Sequence, residues 1–496
     1  MNGPISVNKA SRGLAWCEKG SGTFDQRVRR VLRRKVPDPF SYHARGVVFL
    51  LAGLLFTSGV SADDKGLAGA SLKNRADEIK KRVSDEFTSL ETLYKHIHSN
   101  PELSLKEEQT SARLAKELRG LGFEVTEHVG GTGVVGILHN GAGPTVMLRT
   151  ELDALPVEEK TGLPYASTVH TKDDAGHDVP VMHACGHDIH MAALVGTAQI
   201  MAKTKDQWHG TLMLIRQPAE ETVSGAKGML ADGLFTRFPK PDVGVAVHTT
   251  NNLPAGKVGI APEYALSNAD TVNITIYGRG GHGARPETTV DPIVIAARTI
   301  LSLQTIVSRE IKPGDPAVIT VGYIQGGTKN NIIPDEVHLG LTVRSFTPEV
   351  RKHLLSAIQR VVKAEAEAAN APKPPLVQVT ESTDALYNDP QLADRLGRAL
   401  SQALGAANFE KIPPEMVSED YSAFVEAGVP SFFFRLGVAD PVKFKESEAS
   451  GVPLPSNHSP FFAPDMEPSL KTAIEAEVVV LRNLLGKGGG TSAGAQ

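Results

Sequence analysis

Cysteine is nearly absent from this chain. Its 496 residues hold two, Cys17 and Cys185. Charge of one sign is lacking as well: Lys plus Arg number 52 against 56 Asp plus Glu, a net charge of −4. That balance gives no electrostatic case for a nucleic-acid partner. The one basic block, Arg27 to Lys35, precedes the longest apolar run. That run is itself short of the roughly 20 apolar residues needed to span a bilayer. What is present is ordinary for a soluble globular protein, with 41% hydrophobic and 22% charged residues. At roughly 150 residues per domain, the length suggests about two or three folded units.

The apolar run, Gly46 to Gly59, follows Arg45 and is followed by Val60-Ser61-Ala62. A basic flank, a short apolar stretch and small residues at the −3 and −1 positions describe a secretory signal peptide. Cleavage is expected after Ala62, leaving an exported protein, periplasmic or secreted, with no stable membrane anchor. The alternatives are a short buried helix or a retained anchor. The leader is unusually long, and translation from Val31 or Val36 would give an ordinary one. Because Cys17 lies in that leader, the mature chain would carry one thiol, Cys185, and no intramolecular disulfide.

From Ser71 to Leu121 the pattern is helical, with Ile79, Val83, Phe87, Leu90 and Leu93 on one face and a break at Pro101. Strand-like runs follow at Gly133–His139, Thr145–Thr150, Leu212–Gln217 and Val243–His248, with a helix at His190–Lys203 between the second and third. This alternation indicates an α/β domain with a mixed, largely parallel sheet. From about 268 to 373 the order is strand, helix, strand, strand, helix, as in a small α+β domain. The α/β texture then resumes after the Pro-rich Ala371–Pro375. The simplest organisation is a discontinuous catalytic domain (63–267 and 374–486) interrupted by an inserted α+β domain (268–373), with a structureless tail at 487–496.

The densest local chemistry is His183-Ala-Cys185-Gly-His187-Asp188-Ile-His190. Thiolate and imidazole are ligands for zinc-type ions, and Gly186 permits a tight turn between them. Alone, such a cluster could equally be a redox cysteine or an incidental His-rich loop. It is not alone. Asp153, Glu220-Glu221 and His248 each follow a predicted parallel strand, the edge where open α/β sheets place their ligand crevice. His458, in Pro455-Ser-Asn-His-Ser-Pro460, is a further candidate. Adjacent glutamates suggest divided labour: one carboxylate binds metal, and its neighbour takes the proton of the attacking water. In the inserted region, His282 lies between glycines and could donate to a developing oxyanion. Asn330 precedes Ile332-Ile333-Pro334, and Arg344 could pair with a substrate carboxylate. From composition alone a turn His, a turn Asn and a surface Arg are equally good readings of these three.

Taken in order, the motifs resemble the co-catalytic metallopeptidase family of aminoacylases, carboxypeptidases and acyl-amino-acid hydrolases. The similarity is strongest to the branch acting on hippurate, N-acetyl amino acids and auxin–amino acid conjugates. It runs through His98-Ser-Asn-Pro-Glu102, Leu152-Asp153-Ala-Leu-Pro156, Met182 to Asp188 and Gln217-Pro-Ala-Glu-Glu221. It continues through Val247-His248, Gly281 to Pro286, Asn331 to Asp335 and Asn457-His458. The resemblance implies two divalent metal ions, Mn²⁺ or Zn²⁺ first and Co²⁺ or Ni²⁺ after them. Their ligands would be Cys185, His187, Glu221, His248 and His458, with Cys185 bridging and Asp153 standing behind the ligands. It implies Glu220 as general base and Asn330 and Arg344 near the substrate. It also implies a ferredoxin-like inserted domain that mediates homodimerisation, with His282 completing the partner subunit's site. One departure stands out: the branch has Arg-Ala-Asp where this chain has Arg149-Thr-Glu151. The implied reaction is hydrolysis of an N-acyl amino acid; the alternatives are an exported dipeptidase or carboxypeptidase of the same fold, and a non-catalytic metal- or peptide-binding protein.

Overall fold

The computed structural model describes residues 62–486, with side chains from Arg75 onward. The signal-peptide and tail expectations therefore fall outside the described residues. Two helices open the described chain, α1 (Ala62–Ser99) and α2 (Glu108–Gly120), separated at Pro101 as the pattern predicts. After them come β1 (Glu124–Thr126), β2 (Val134–Asn140), β3 (Thr145–Glu151), α3 (His187–Lys203) and β4 (Gly210–Gln217). Next are α4 (Gly225–Ala231), β5 (Val243–Pro254) and β6 (Val258–Ile260). A second group follows: β7 (Ala269–Tyr277), α5 (Pro292–Glu310), β8 (Ala317–Gln325), β9 (Glu336–Ser345), α6 (Pro348–Ala368) and β10 (Leu376–Thr383). The chain closes with α7 (Pro390–Leu404), β11 (Phe409–Lys411), β12 (Ser431–Ala439), α8 (Pro441–Ser450) and α9 (Met466–Leu485).

The main sheet has eight strands in the order β1-β2-β4-β3-β5-β12-β6-β11. Its centre, β4-β3-β5-β12, is parallel, and antiparallel pairs flank it. Both faces are buried, and alternation along each strand shows why. In β4, Leu212 and Leu214 face the core under α1, α3, α7 and α9, while Met213 and Ile215 face the opposite core with Ala226 and Met229 of α4. Strands buried on both sides read as continuous apolar runs, as Ser431-Phe-Phe-Phe does in β12. Helix α3 is buried nearly all round because α1 and α9 cover the sides that the sheet does not.

The second sheet is antiparallel, in the order β8-β9-β7-β10, with α5 and α6 packed on it around a core of their own. Counted within the sheet this is 2-3-1-4, the ferredoxin-like arrangement. Its fourth strand lies beyond the boundary at 373, because the prolines of Ala371–Pro375 turn the chain into an edge strand instead of leaving the sheet. No helix among the described residues is long and apolar enough to cross a membrane.

Candidate metal centre

The site forms past the carboxyl ends of β3 and β4 and beside His248 in the middle of β5. Gly186 carries the turn that begins α3, with φ +85°, and a Cβ there would lie 2.6 Å from Thr249 Oγ1. Only glycine fits both conditions, so Cys185 and His187 are aimed at the same space from either side of it. Ala219 and Val223, flanking Glu220-Glu221, and His458 itself also hold positive φ. Such strain in residues that bear a Cβ, grouped at one place, marks a site held in shape by its surroundings. The sequence suggests that β5 ends at His248, but it runs on to Pro254, because pairing with β12 continues past the point where pairing with β3 stops.

His187 Nδ1 lies 2.8 Å from the Asp153 carbonyl, and His248 Nδ1 lies 2.9 Å from the Thr249 carbonyl. A carbonyl only accepts, so both rings carry a proton on Nδ1 and turn Nε2 towards the cluster, where a cation would take its lone pair. The Nε2 of His248 is 3.5 Å from Cys185 Sγ, and that of His458 is 3.3 Å from the same sulfur. His458 Nε2 is also 3.4 Å from Glu221, and His187 Nε2 is 3.9 Å from both Glu220 and Glu221. Cys185 thus belongs to two groups at once, one with His187 and His248, the other with Glu221 and His458. His187 Nε2 and Glu221 Oε1 are buried without any hydrogen-bond partner. Ligand-type side chains converging on one point, with the His187 and His248 imidazoles each fixed through the far nitrogen to a carbonyl, fit divalent cations. Burial drives the Glu220 and Glu221 carboxyls and the Cys185 thiol upward, with the neighbouring carboxylates adding to it. A cation at this point reverses all three directions.

Asp153 holds the cluster from behind. Its Oδ2 accepts from Ser104 Oγ at 2.7 Å and from the Glu221 backbone N–H at 2.9 Å. Glu151, at the departure position, has both oxygens taken, one by Arg149 and the other by His190 Nδ1 at 2.8 Å. The extra methylene lets it span the two. His190 in turn accepts from Thr249 N–H at 2.9 Å and so pins the backbone beside His248. Arg149 also binds Glu419 at 2.7 Å and Asp420 at 3.1 Å. Sequence reasoning missed Glu419 and Asp420, and it quoted Asn457 only as part of a motif without the role it has here, Nδ2 donating to the Cys185 carbonyl at 3.0 Å. Only the position of Asn457 next to His458 could have pointed to it.

A cavity of about 900 Å³ opens over the cluster, lined by Cys185, Glu220, Glu221, His248 and His458. Arg344 lines it from the second sheet, with Nη1 buried and unpaired. His282 and Asn330 do not line it; both are exposed, His282 on a short strand paired with Ile332-Ile333.

The profile of peptidase family M20/M25/M40 matches residues 147–450. The chain belongs to this family. It is a hydrolase of amide bonds, and its donor set fits the family's metal dependence. It is 33% identical over 412 residues to IAA-amino acid hydrolase ILR1-like 2 of Arabidopsis thaliana, covering 82% of this chain and 88% of that one. To hippurate hydrolase of Campylobacter jejuni it is 36% identical over 343 residues, 68% of this chain and 85% of that one. Among solved M20 structures, the YXEP protein of Bacillus subtilis, described as a dinuclear metal-binding peptidase, superposes with a TM-score of 0.64. It is 26% identical, with 80% of this chain and 99% of that one covered.

Proposed function

We propose that this M20 enzyme hydrolyses N-acyl amino acids, releasing a carboxylic acid and a free amino acid, with two divalent ions held by Cys185, His187, Glu221, His248 and His458. The observation that carries the reading is the pair of sulfur-sharing groups at Cys185, each with imidazole Nε2 atoms turned inward. When bound, divalent cations polarise an amide carbonyl and make water acidic enough to be deprotonated near neutral pH. Sulfur and imidazole suit Zn²⁺, and carboxylate and imidazole suit Mn²⁺, with Co²⁺ or Ni²⁺ as further candidates.

Glu220 is the general base. It is 7% exposed, lines the cavity and shares His187 as a neighbour with Glu221. Its carboxylate accepts the proton of the attacking water and returns it to the departing nitrogen, so acid and amine leave with atoms balanced. Arg344 binds the carboxylate of the amino acid half through its unpaired Nη1. A free-amine substrate, as for a dipeptidase, needs an unspent acid in the cavity. The candidates there are already paired, Glu419 with Arg149 and Glu415 with Arg435.

His282 and Asn330 serve the cavity of a second copy, which fits their exposure outside their own. Val294 and Leu301, seven residues apart on one side of α5, give an exposed apolar stripe, and Tyr323 and Ile324 are exposed on edge strand β8; both favour that homodimer. The basic–apolar–small leader supports export. N-terminal sequencing of the mature protein tests that point, with Asp63 as the expected first residue.

The enzymatic test is release of amino acid from N-acetyl-, N-benzoyl- and indoleacetyl-amino acids by chelator-stripped and metal-restored protein. Restored activity on at least one series is expected. Equal activity with and without metal, or none in either, overturns the reading.

A further inference from the structure

An N-acyl amino acid brings one carboxylate, which the reading above gives to Arg344. The cavity nevertheless contains a second guanidinium with donors to spare. Arg435 is 8% exposed and lines the cavity together with Cys185 and His248. It sits on β12 directly opposite His248 on β5 in a parallel ladder, so the two side chains project to the same face of the sheet. One of its nitrogens is committed: Nη2 meets Glu415 Oε2 at 3.0 Å. The other oxygen of Glu415 accepts from Asn252 Nδ2 at 3.0 Å, which anchors that carboxylate beside the arginine. Arg435 Nε remains buried with no partner.

A buried N–H without an acceptor is a standing cost to the free protein, which a ligand oxygen would relieve. The same cavity is lined by the apolar Leu266, Phe444 and Leu454 among polar side chains such as Asn251 and Ser418. A partly apolar pocket with a fixed, unspent donor has the form of a specificity site.

We propose that Arg435, held in place by Glu415 and Asn252, recognises an oxygen acceptor at the far end of the substrate's acyl group. The favoured substrates are then amino acids conjugated to short acyl groups tipped with a carboxylate or carboxamide. This rests on the amidohydrolase reading above. Hydrogen-bonding sites discriminate strongly against analogues that lack the partner, because the site's own polar atoms are then left unpaired.

Three conjugates of L-alanine with nearly the same shape test it: N-succinyl, N-succinamoyl and N-(4-methylpentanoyl). The wild-type enzyme is expected to show kcat/KM at least about tenfold higher for the first two. Arg435→Met erases that preference by a selective loss on the acceptor-bearing pair, and Arg435→Lys keeps part of it. The double variant Glu415→Gln/Arg435→Met leaves no unpaired carboxylate and reproduces the result if the single variant folds poorly. Equal kcat/KM for all three in the wild type, or an equal loss on all three in Arg435→Met, overturns the proposal. If no acyl-amino acid is turned over, the amidohydrolase reading is what fails. Calorimetric binding of the intact conjugates to Glu220→Gln still decides the role of Arg435. Tighter binding of the acceptor-bearing pair, lost on adding Arg435→Met, supports it; equal binding refutes it.

Discussion

Glu220 and Glu221 are neighbours in sequence whose environments divide them. Glu221 reaches His458 and has its backbone N–H held by Asp153, while Glu220 faces the cavity with no hydrogen-bond partner holding it. Replacing Glu220 by Gln keeps the shape and removes the proton acceptor. Metal uptake should be unchanged, and kcat should fall by about 10²–10⁴-fold, read by steady-state kinetics beside metal analysis. A second single-residue prediction concerns Arg216 on β4. All three of its guanidinium nitrogens are buried without a partner, and burial pulls its pKa down to about 9. Arg216→Met should stabilise the protein by about 1–3 kcal/mol, seen as a higher Tm. The five proposed ligands and Glu220 could be named from the sequence because each lies in a short motif, and the structure brings them together around Cys185. Arg435 was not legible: in the Phe-rich run of β12 nothing marks it, and its meaning comes from Glu415 and Asn252, which only the fold brings near.

Between elements, His98 ties the end of α1 to the start of α3. Its ring lies 2.6 Å from Asp188 and 3.1 Å from Glu159, all three side chains being buried. Burial alone would lower its pKa, but the two carboxylates outweigh it and raise the imidazole to about 9. The folded-state pKa is therefore above the unfolded value of about 6.5. The stability it contributes is fully present below about pH 6.5 and is lost as pH rises through about 9, on the order of 3 kcal/mol. Tm measured from pH 6.5 to 9 should fall more steeply for the wild type than for His98→Gln; parallel curves would refute the ion-paired imidazole. The helix–strand order itself was readable from periodicity and from Pro101. The end of β5 and the last strand of the second sheet were not, because both are set by pairing partners distant in sequence, β12 and β7.

For the whole molecule, the separation of His282 and Asn330 from the cavity is the feature that the proposed second copy would account for. Leu301 is 71% exposed in the middle of α5, and Leu301→Glu should shift the protein from dimer to monomer in light scattering and lower its activity together. Mixing inactive Glu220→Gln and His282→Ala chains should recover activity, since a hybrid dimer contains one site with both groups intact. No recovery on mixing would place His282 outside the partner's chemistry. Subunit exchange of this kind was implied by resemblance alone, for no single-chain pattern encodes which copy a histidine serves.

The most direct measurement titrates metal-free enzyme with Mn²⁺ or Zn²⁺ while following both bound metal and hydrolysis of an N-acyl amino acid. Bound metal should saturate at two ions per chain, with activity rising alongside it. Glu220→Gln should take up the same two ions and remain inactive. Full activity in the metal-free protein, or an active Glu220→Gln, would contradict the site described around Cys185.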